Sequence, residues 1–307
     1  MMSQKDTIIV TGANGHLGSA IVRYIVSSLE LQAYHSILIV RDKSVANTKL
    51  TSALKMAVSN VHRVATTTNG RVSAGAIPQI HGLVLNAAFI EFETQTWAEE
   101  GFDMAFVASY LGRWLLMVML LRSVNLETGR ITIDGSDAHN PDDWLIGIIG
   151  TYKHPNDKWR SFIAFGAWST RADDPSTRND LRRCGAAKFC LVTTISELQR
   201  RLNLDPLLHH ISTVRDDPGT IASPEGYVMM WLCLESNGKM RTTTRSAGDI
   251  IRAVMDVSVA KAAYFDGPAL AETTSEAKDA KKREMIWRDS VRYTQLKESE
   301  TVLKDWK

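Results

Sequence analysis

The sequence has little cysteine and no excess of charge of either sign. Its 307 residues include only three cysteines, and 36 lysines and arginines stand against 34 aspartates and glutamates, a formal net charge of +2. Three scattered cysteines cannot build a disulfide framework or a zinc knuckle, so a reducing compartment is expected. A nearly neutral chain with mixed charges carries no electrostatic footprint for nucleic acid.

Long hydrophobic runs are missing as well. The first residues are too polar for a signal peptide, and the most apolar run, residues 111–121, is too short to span a bilayer and contains Arg113. Hydrophobic residues nevertheless make up 44% of the chain, which is ample for a buried core. We therefore expect a cytoplasmic globular protein with no membrane span.

Short apolar runs alternate with amphipathic segments along the chain. Because strands that alternate with helices form parallel sheets covered on both faces, the predicted fold class is α/β, a doubly wound parallel sheet. Residues 43–80 are poorly patterned, and residues 61–67 are the nearest candidate there for a strand. The other predicted strands are residues 7–10, 36–40, 82–85, 130–133 and 211–214, and the long predicted helices are residues 97–124 and 180–202.

A glycine-bearing turn follows the first predicted strand and precedes an amphipathic segment. In that context Gly12 allows a tight turn, Gly15 lets the backbone approach a pyrophosphate, and Gly18 lets the helix pack closely on the strand. The N–H groups at the start of the helix then face the phosphates. The candidate nucleotide-binding residues of this turn are Thr11, Gly12, Asn14, Gly15, His16, Leu17 and Gly18.

The second predicted strand ends at Arg41, followed by Asp42. Dinucleotide-binding folds that take NAD place an acidic residue here, on the ribose diol, whereas a basic residue suits a 2′-phosphate. NADP(H) is therefore expected in preference to NAD. The adjacent Asp42 leaves open the alternative that Arg41 is an ordinary solvated charge in a turn.

Further motifs follow in a fixed order, namely Asn86 with Ala87, Ser136, Lys188, and Pro218 with Gly219. Together with the glycine turn they make the chain resemble the short-chain dehydrogenase/reductase family over nearly its whole length. Residues 106–112, 197–202 and 301–306 are most similar to retinol-dehydrogenase-like and protochlorophyllide-reductase-like members of filamentous fungi. The resemblance implies one Rossmann-type domain that transfers hydride to or from a carbonyl or alcohol, in fungal secondary metabolism.

The family's catalytic tetrad consists of asparagine, serine, tyrosine and lysine. The resemblance places Ser136 and Lys188 at the serine and lysine positions, but Cys184 stands where the tyrosine belongs and Ser109 where the asparagine belongs. The tetrad is therefore degenerate. By the same resemblance, Asn86, Ala87, Lys188, Pro218, Gly219 and Thr220 contact the cofactor.

Cys184 is a poor substitute for a tyrosine phenol. Free cysteine titrates near ~8.5 against ~10 for tyrosine, and Lys188, four residues further along a helix, would lower the pKa of the thiol. The sulfur, however, lies several ångströms closer to the main chain than a phenol oxygen. Because proton transfer needs an approach of about 2.6–3.2 Å or a bridging water, another acid such as Tyr110 or Tyr152 is an alternative.

Three functions stay open on this evidence. The first is an NADP(H)-dependent oxidoreductase with a rewired proton relay. The second is a non-redox enzyme on the same fold, such as a cyclase, isomerase, dehydratase or pericyclase, in which Ser136, Lys188 and Cys184 polarise a carbonyl. The third is an inactive binding or scaffold protein, since fold alone does not determine function.

Aromatic residues in two segments predict a hydrophobic small-molecule substrate. The insertion and the substrate loop would cover a cleft at the carboxyl end of the sheet, although the aromatic rings of the insertion could instead anchor it to the body. No cluster at metal spacing is present, and a homodimer is one state that the resemblance allows. The candidate pocket residues are His139, Trp144, Tyr152, Tyr227 and Trp231. The predicted single domain, residues 1–307, comprises a nucleotide-binding half (5–135), an insertion or lid (137–179), a substrate loop (216–245) and a C-terminal extension (271–307).

Overall fold

The computed structural model describes residues 5–40, 53–98, 100–142, 163–170, 172, 174, 176–221 and 240–307. Its main sheet has seven strands in the order β2-β1-β3-β4-β5-β8-β9, and only β9 runs antiparallel to its neighbour. The predicted α/β fold class is confirmed. The strands are β1 (Thr7–Thr11), β2 (His35–Ile39), β3 (Ile80–Leu85), β4 (Arg130–Asp134), β5 (Ser212–Asp217), β6 (Thr220–Ile221), β7 (Met240–Arg241), β8 (Ala263–Asp266) and β9 (Ala269–Ala271), with β6 and β7 paired separately.

Helices cover both faces of the main sheet. Along β3, Leu83 and Leu85 face the larger hydrophobic cluster, whereas Val84 faces the smaller one, as the alternation of side chains along a strand requires. α2, α4, α5 and α8 pack on the first side, and α1 with α6 on the second. The helices are α1 (His16–Ser27), α2 (Ala53–Ser73), α3 (Met104–Phe106), α4 (Gly112–Leu120), α5 (Arg178–Leu204), α6 (Thr243–Met255), α7 (Ser275–Lys278) and α8 (Ala280–Thr294).

The central strands are buried on both faces, but β2 is only half-buried. β2 pairs with β1 on one side, and no strand within the described ranges pairs with its other side. The suggestion of a strand at residues 61–67 is wrong, because these residues lie inside α2. Val58, Val61 and Ala65 recur there at helical spacing and pack on the larger cluster.

The long helix predicted at residues 97–124 begins later, at Met104. Asp103 caps its first turn by accepting from the backbone N–H groups of Ala105 and Phe106, at 2.9 and 3.3 Å. A π-helical turn then joins α3 to α4. The whole segment Met104–Ser123 is long and apolar enough to cross a membrane, yet 89% of its most apolar window is buried inside the protein, as in the core helix of a soluble fold.

The C-terminal part of the chain covers α4 and α5. Trp287 of α8 packs edge-on against Trp114 of α4, with ring centroids 5.3 Å apart, and the guanidinium of Arg201 lies 4.7 Å above the Trp287 ring. The Trp287 indole N–H donates to the carbonyl oxygen of Trp306 at 2.8 Å. The last residues are therefore held against α4, α5 and α8.

Candidate cofactor and active site

Two positions of the glycine turn between β1 and α1 leave no room for a side chain. Gly12 has φ +66°, a left-handed conformation that favours glycine, and a Cβ there would lie 2.9 Å from Cα of Ala87. A Cβ on Gly18 would lie 2.0 Å from the carbonyl oxygen of Gly12. These contacts bring α1 against the turn, and the turn against the end of β3.

The start of α1 is open to an anionic ligand. Gly15 precedes the helix without a side-chain cap, and the first turn contains no acidic residue. Asn14, Gly15 and His16 are exposed, and Leu17 is half-buried. The first backbone N–H groups of a helix lack partners within it and carry partial positive charge, so this end suits a phosphate.

Asn86 joins the end of β3 to the glycine turn. Its amide Nδ2 donates to the carbonyl oxygens of Thr11 and Gly12 at 2.9 and 3.3 Å. The backbone N–H of Ala87 donates to the Thr11 hydroxyl at 3.0 Å. These hydrogen bonds hold the two motifs together, although they lie more than 70 positions apart along the chain.

Lys188 reaches from α5 to the carboxyl end of β4. Its ammonium Nζ donates to the carbonyl oxygens of Asp134 and Gly135, at 2.8 and 2.9 Å. Burial lowers the pKa of Lys188 to about 8; the charge of Arg113 acts in the same direction, and the Asp134 carboxyl opposes it. Lys188 is thereby held beside Ser136, the next residue after Gly135.

Ser136 begins a short 3-10 turn after β4. Its hydroxyl accepts from the backbone N–H of Ala138 at 3.2 Å. His139, at the end of the turn, donates through Nδ1 to the carbonyl oxygen of Ser136 at 2.6 Å and packs edge-on against Tyr264. Burial lowers the pKa of His139, so its imidazole is neutral at pH 7. His139 therefore lies close to Ser136, as the sequence predicts.

Cys184 lies one helical turn before Lys188 on α5 and is half-buried. Burial raises the pKa of the Cys184 thiol, while the charges of Lys188 and Arg113 oppose that shift. At neutral pH the thiol therefore keeps its proton. The four-residue spacing places sulfur and ammonium on the same face of the helix.

Ser109 lies in the π-helical turn and is fully buried. Its hydroxyl accepts from the backbone N–H of Phe89 at 2.9 Å and donates to the carbonyl oxygen of Phe89 at 2.7 Å. The Ser109 hydroxyl proton is thus used in a hydrogen bond to the loop after β3. Tyr110 is also fully bonded inside the core, to Thr194 at 2.8 Å and Ser290 at 2.5 Å, so it does not serve as a substitute acid.

Arg113 is a site residue that the sequence analysis missed. It lies on α4 one turn after Ser109, is 3% exposed, and donates through Nη2 to the carbonyl oxygen of Asn86 at 3.1 Å. Burial lowers its pKa to about 10. The sequence signal for Arg113 is that this charge interrupts the most apolar run of the chain.

Carboxyl groups gather at the ends of β4 and β5. Burial raises the pKa of Asp134 to about 6, and Lys188 and Arg113 oppose the shift. Burial also raises the pKa of Asp217 to about 7, with a further contribution from Asp137. This end of the sheet is therefore rich in groups that titrate near neutrality.

The segment after β5 carries the remaining cofactor candidates. Gly219 has φ +71°, and its backbone N–H donates to Oδ1 of Asp217 at 2.8 Å. The carbonyl oxygen of Pro218 accepts from the Ser246 hydroxyl at 2.7 Å, and Thr220 begins β6. Arg41, Trp144, Tyr152, Tyr227 and Trp231 lie outside the described residues.

Within the described ranges, no group of three or more histidine, cysteine, aspartate or glutamate side chains could hold a metal ion. The donors that converge at the carboxyl end of the sheet are instead backbone N–H groups, the Asn86 and Ser136 side chains and the two cations. This set suits an organic ligand with phosphate and hydroxyl groups.

Comparisons with known proteins agree with this geometry. No family model matches the chain. A curated short-chain dehydrogenase from Talaromyces variabilis, iccH, is 34% identical over 99% of this chain and 100% of its own length. The chain therefore belongs to the short-chain dehydrogenase family.

Solved structures share the fold at low sequence identity. The NADPH-bound carbonyl reductase from chicken fatty liver has a TM-score of 0.52 at 14% identity, covering 88% of this chain and all of that one. The angucycline C-6 ketoreductase LanV, bound to NADP, also has a TM-score of 0.52 at 14% identity, over 86% of this chain and 95% of its own. Both similarities concern the arrangement of the sheet and its helices.

Proposed function

We propose that this protein is an NADP(H)-dependent oxidoreductase that acts on a carbonyl or alcohol of a hydrophobic small molecule through an atypical proton relay. The proposal depends mainly on two sets of hydrogen bonds. Asn86 bonds to the glycine turn, and Lys188 bonds to the end of β4 next to Ser136. Family membership supports it, as do the NADPH and NADP that the two similar structures contain.

The residues present fit a dinucleotide. The turn excludes a Cβ at Gly12 and Gly18, and the open start of α1 offers N–H groups to a pyrophosphate. When bound, the nicotinamide group supplies or accepts the hydride. We assign Lys188 to its ribose, Gly219 and Thr220 to its amide end, and Arg41 to the 2′-phosphate that distinguishes NADP from NAD.

The chain's own groups handle the reacting oxygen. Ser136 is half-buried at the end of β4, and its hydroxyl can donate to a substrate carbonyl. Cys184 holds a proton at neutral pH, but the short side chain reaches that oxygen only through a bridging water. Ser109 then serves to fix the loop at Phe89, since its hydroxyl proton is committed there. The relay would run through water between Cys184 and the substrate.

Titration with NADPH and NADP⁺ by calorimetry tests the cofactor. Binding is expected, and no heat up to millimolar concentrations would contradict it. Incubation with a panel of apolar ketones and alcohols, monitored at 340 nm, then tests redox turnover. Product formed without any change in NADPH would instead support the non-redox alternative, which Cys184 at the tyrosine position favours.

The predicted pocket residues His139, Trp144, Tyr152, Tyr227 and Trp231 belong to the same proposal. Of these, His139 lies beside Ser136, and its exchange to alanine should raise the KM for an apolar substrate. We further propose a role in fungal secondary metabolism. Deletion of the gene in its host, followed by comparison of the extracted metabolites, tests that role.

A homodimer, if formed, would use a surface other than α4 and α5. The two helices are covered by α2, α8 and the C-terminal residues, and Trp114 and Leu202 are fully buried. Light scattering on the purified protein gives the oligomeric state. Leu204 and Leu207 are exposed and lie just beyond the covered part of α5. Substitution of either residue would show whether this part of the surface contributes to dimer formation.

A further inference from the structure

Arg113 has a buried guanidinium group whose hydrogen-bond donors are only partly used within the described residues. Nη2 donates to the carbonyl oxygen of Asn86, whereas Nε and Nη1 have no hydrogen-bond partner in the described part of the chain. The side chain is 3% exposed. Because buried polar groups are nearly always hydrogen-bonded and an unmade bond costs free energy, two unused donors beside the cleft indicate a missing acceptor.

A second buried cation lies near Arg113. Lys188 is close enough to influence Arg113, yet its ammonium donates to two main-chain oxygens rather than to a carboxylate. The carboxyl of Asp134 acts on both cations, and that of Asp217 also acts on Lys188. Within the described residues, neither carboxyl accepts a hydrogen bond from Nε or Nη1 of Arg113.

We propose that Arg113 and Lys188 form a binding site for an anionic oxygen of the substrate, a carboxylate or enolate carried close to the reacting carbonyl. The inference rests on the proposed function and narrows its substrate class to acidic carbonyl compounds. Arg113 supplies the unused N–H groups of Nε and Nη1, and Cys184, which acts electrostatically on Arg113 and is partly exposed, marks the side from which we expect an anion to enter.

Cys184 provides a reporter that does not depend on turnover. Iodoacetate and iodoacetamide alkylate a thiol by the same chemistry but differ in charge, so the ratio of their rates measures attraction of an anion and is unaffected by the pKa of the thiol. Mass spectrometry of the Cys184 peptide gives both rates. Relative to free cysteine in the same buffer, we expect the iodoacetate-to-iodoacetamide ratio to rise roughly tenfold.

Two substitutions separate charge recognition from folding. Arg113→Gln should lower the ratio towards that of free cysteine, with only the contribution of Lys188 left, whereas Arg113→Lys, which keeps the charge, should retain more of the preference. Circular dichroism and NADPH titration verify that each variant is folded. If neither variant folds, the wild-type ratio decides alone, because a ratio equal to that of free cysteine overturns the proposal.

Saturating NADPH distinguishes a substrate anion from a phosphate of the cofactor. The iodoacetate preference must survive in its presence, since substrate binds with cofactor in place; loss of the preference would assign the site to the cofactor and overturn the proposal. Failure of both reagents to label Cys184 would overturn it too, because an anion on its way to Arg113 passes the more exposed thiol.

Reduction of a matched acid and ester connects the site to activity. Acetoacetate is expected to be a better substrate than methyl acetoacetate by kcat/KM, with the difference lost in Arg113→Gln. Equal rates for the two compounds would contradict the anion site while leaving the oxidoreductase proposal intact. A raised alkylation ratio supports the anion site even if neither compound is reduced, whereas the redox proposal is decided by the panel of ketones and alcohols.

Discussion

Asp134 and Asp216 are direct register partners at the carboxyl ends of β4 and β5, and both are buried. Paired residues on neighbouring strands point to the same face of a sheet, so the two carboxyls are neighbours. Within the described residues, neither oxygen of Asp216 has a hydrogen-bond partner, and burial together with the charge of Asp134 raises the pKa of Asp216 well above its usual value. Asp216 therefore holds its proton to a higher pH than an ordinary aspartate.

Asp216→Asn should stabilise the protein at alkaline pH. Because the folded state holds the Asp216 proton to a higher pH than the unfolded chain does, stability falls as the pH rises above about 4, the value for an unfolded aspartate. Removing the carboxyl should raise the free energy of unfolding by about 1–3 kcal/mol at pH 8 and change it little at pH 4. Urea unfolding at the two pH values measures this, and Glu127→Gln, on an exposed loop, is the control.

Gly18→Ala should strongly weaken the binding of the cofactor. A methyl group at this position would lie 2.0 Å from the carbonyl oxygen of Gly12, so α1 must move away from the turn that is expected to hold the pyrophosphate. A weakening of roughly 100-fold or more in NADPH affinity is expected by calorimetry. Gly70→Ala is the matched control.

A Cβ at Gly70, inside α2, would contact nothing within 4 Å. This exchange should leave NADPH affinity unchanged and stabilise the protein by about 0.5–1 kcal/mol, because alanine loses less conformational freedom than glycine in a helix. Equal loss of affinity in both variants would show that the effect at Gly18 does not arise from the turn.

Cys184→Tyr should raise carbonyl reductase activity. The exchange would place a phenol one helical turn from Lys188, within reach of an oxygen bound at Ser136. Since a positioned acid is worth about 10²–10⁴ in rate, a gain of at least about tenfold in kcat/KM is expected. Cys184→Phe fills the same space without a hydroxyl and should show no gain; a similar rise in both variants would indicate packing rather than proton transfer.

Ser109→Ala should destabilise the fold rather than act through chemistry alone. It would leave the backbone N–H and carbonyl oxygen of Phe89 without the hydroxyl that bonds both. The expected cost is about 1–3 kcal/mol in the free energy of unfolding. Ser27→Ala is the control, because Ser27 is exposed and bonds only the carbonyl oxygen of Tyr24; its cost should stay within about 0.5 kcal/mol.

Much of the fold follows from sequence patterns. β1 and β3 each contain a short apolar run, residues 8–10 and 83–85, which is typical of strands buried on both faces, and the glycine turn fixes where α1 begins. Residues 61–67 escaped the pattern because α2 is largely polar and shows only a narrow apolar stripe. The late start of the long helix depends on Asp103, a cap that propensity alone does not reveal.

The site was predictable only where the family resemblance supplied positions. Asn86 follows β3 and Ser136 follows β4, whereas Cys184 and Lys188 lie on α5, from which the Lys188 ammonium reaches the end of β4. The buried side chains Arg113 and Asp216 could not be predicted, because nothing in a linear pattern shows that each of them comes close enough to Asp134 to interact with its carboxyl. Their burial and their missing partners become visible only in three dimensions.

The fastening of the last residues has a consequence for synthesis on the ribosome. Thr301 donates to the carbonyl oxygen of Val118, and Arg201 donates to the carbonyl oxygen of Lys307 at 2.8 Å. The covering of α4 and α5, to which α2 and α8 also contribute, is thus completed only when residue 307 has left the exit tunnel. A nascent chain with that layer exposed is prone to aggregation and is a client for chaperones that bind hydrophobic surface.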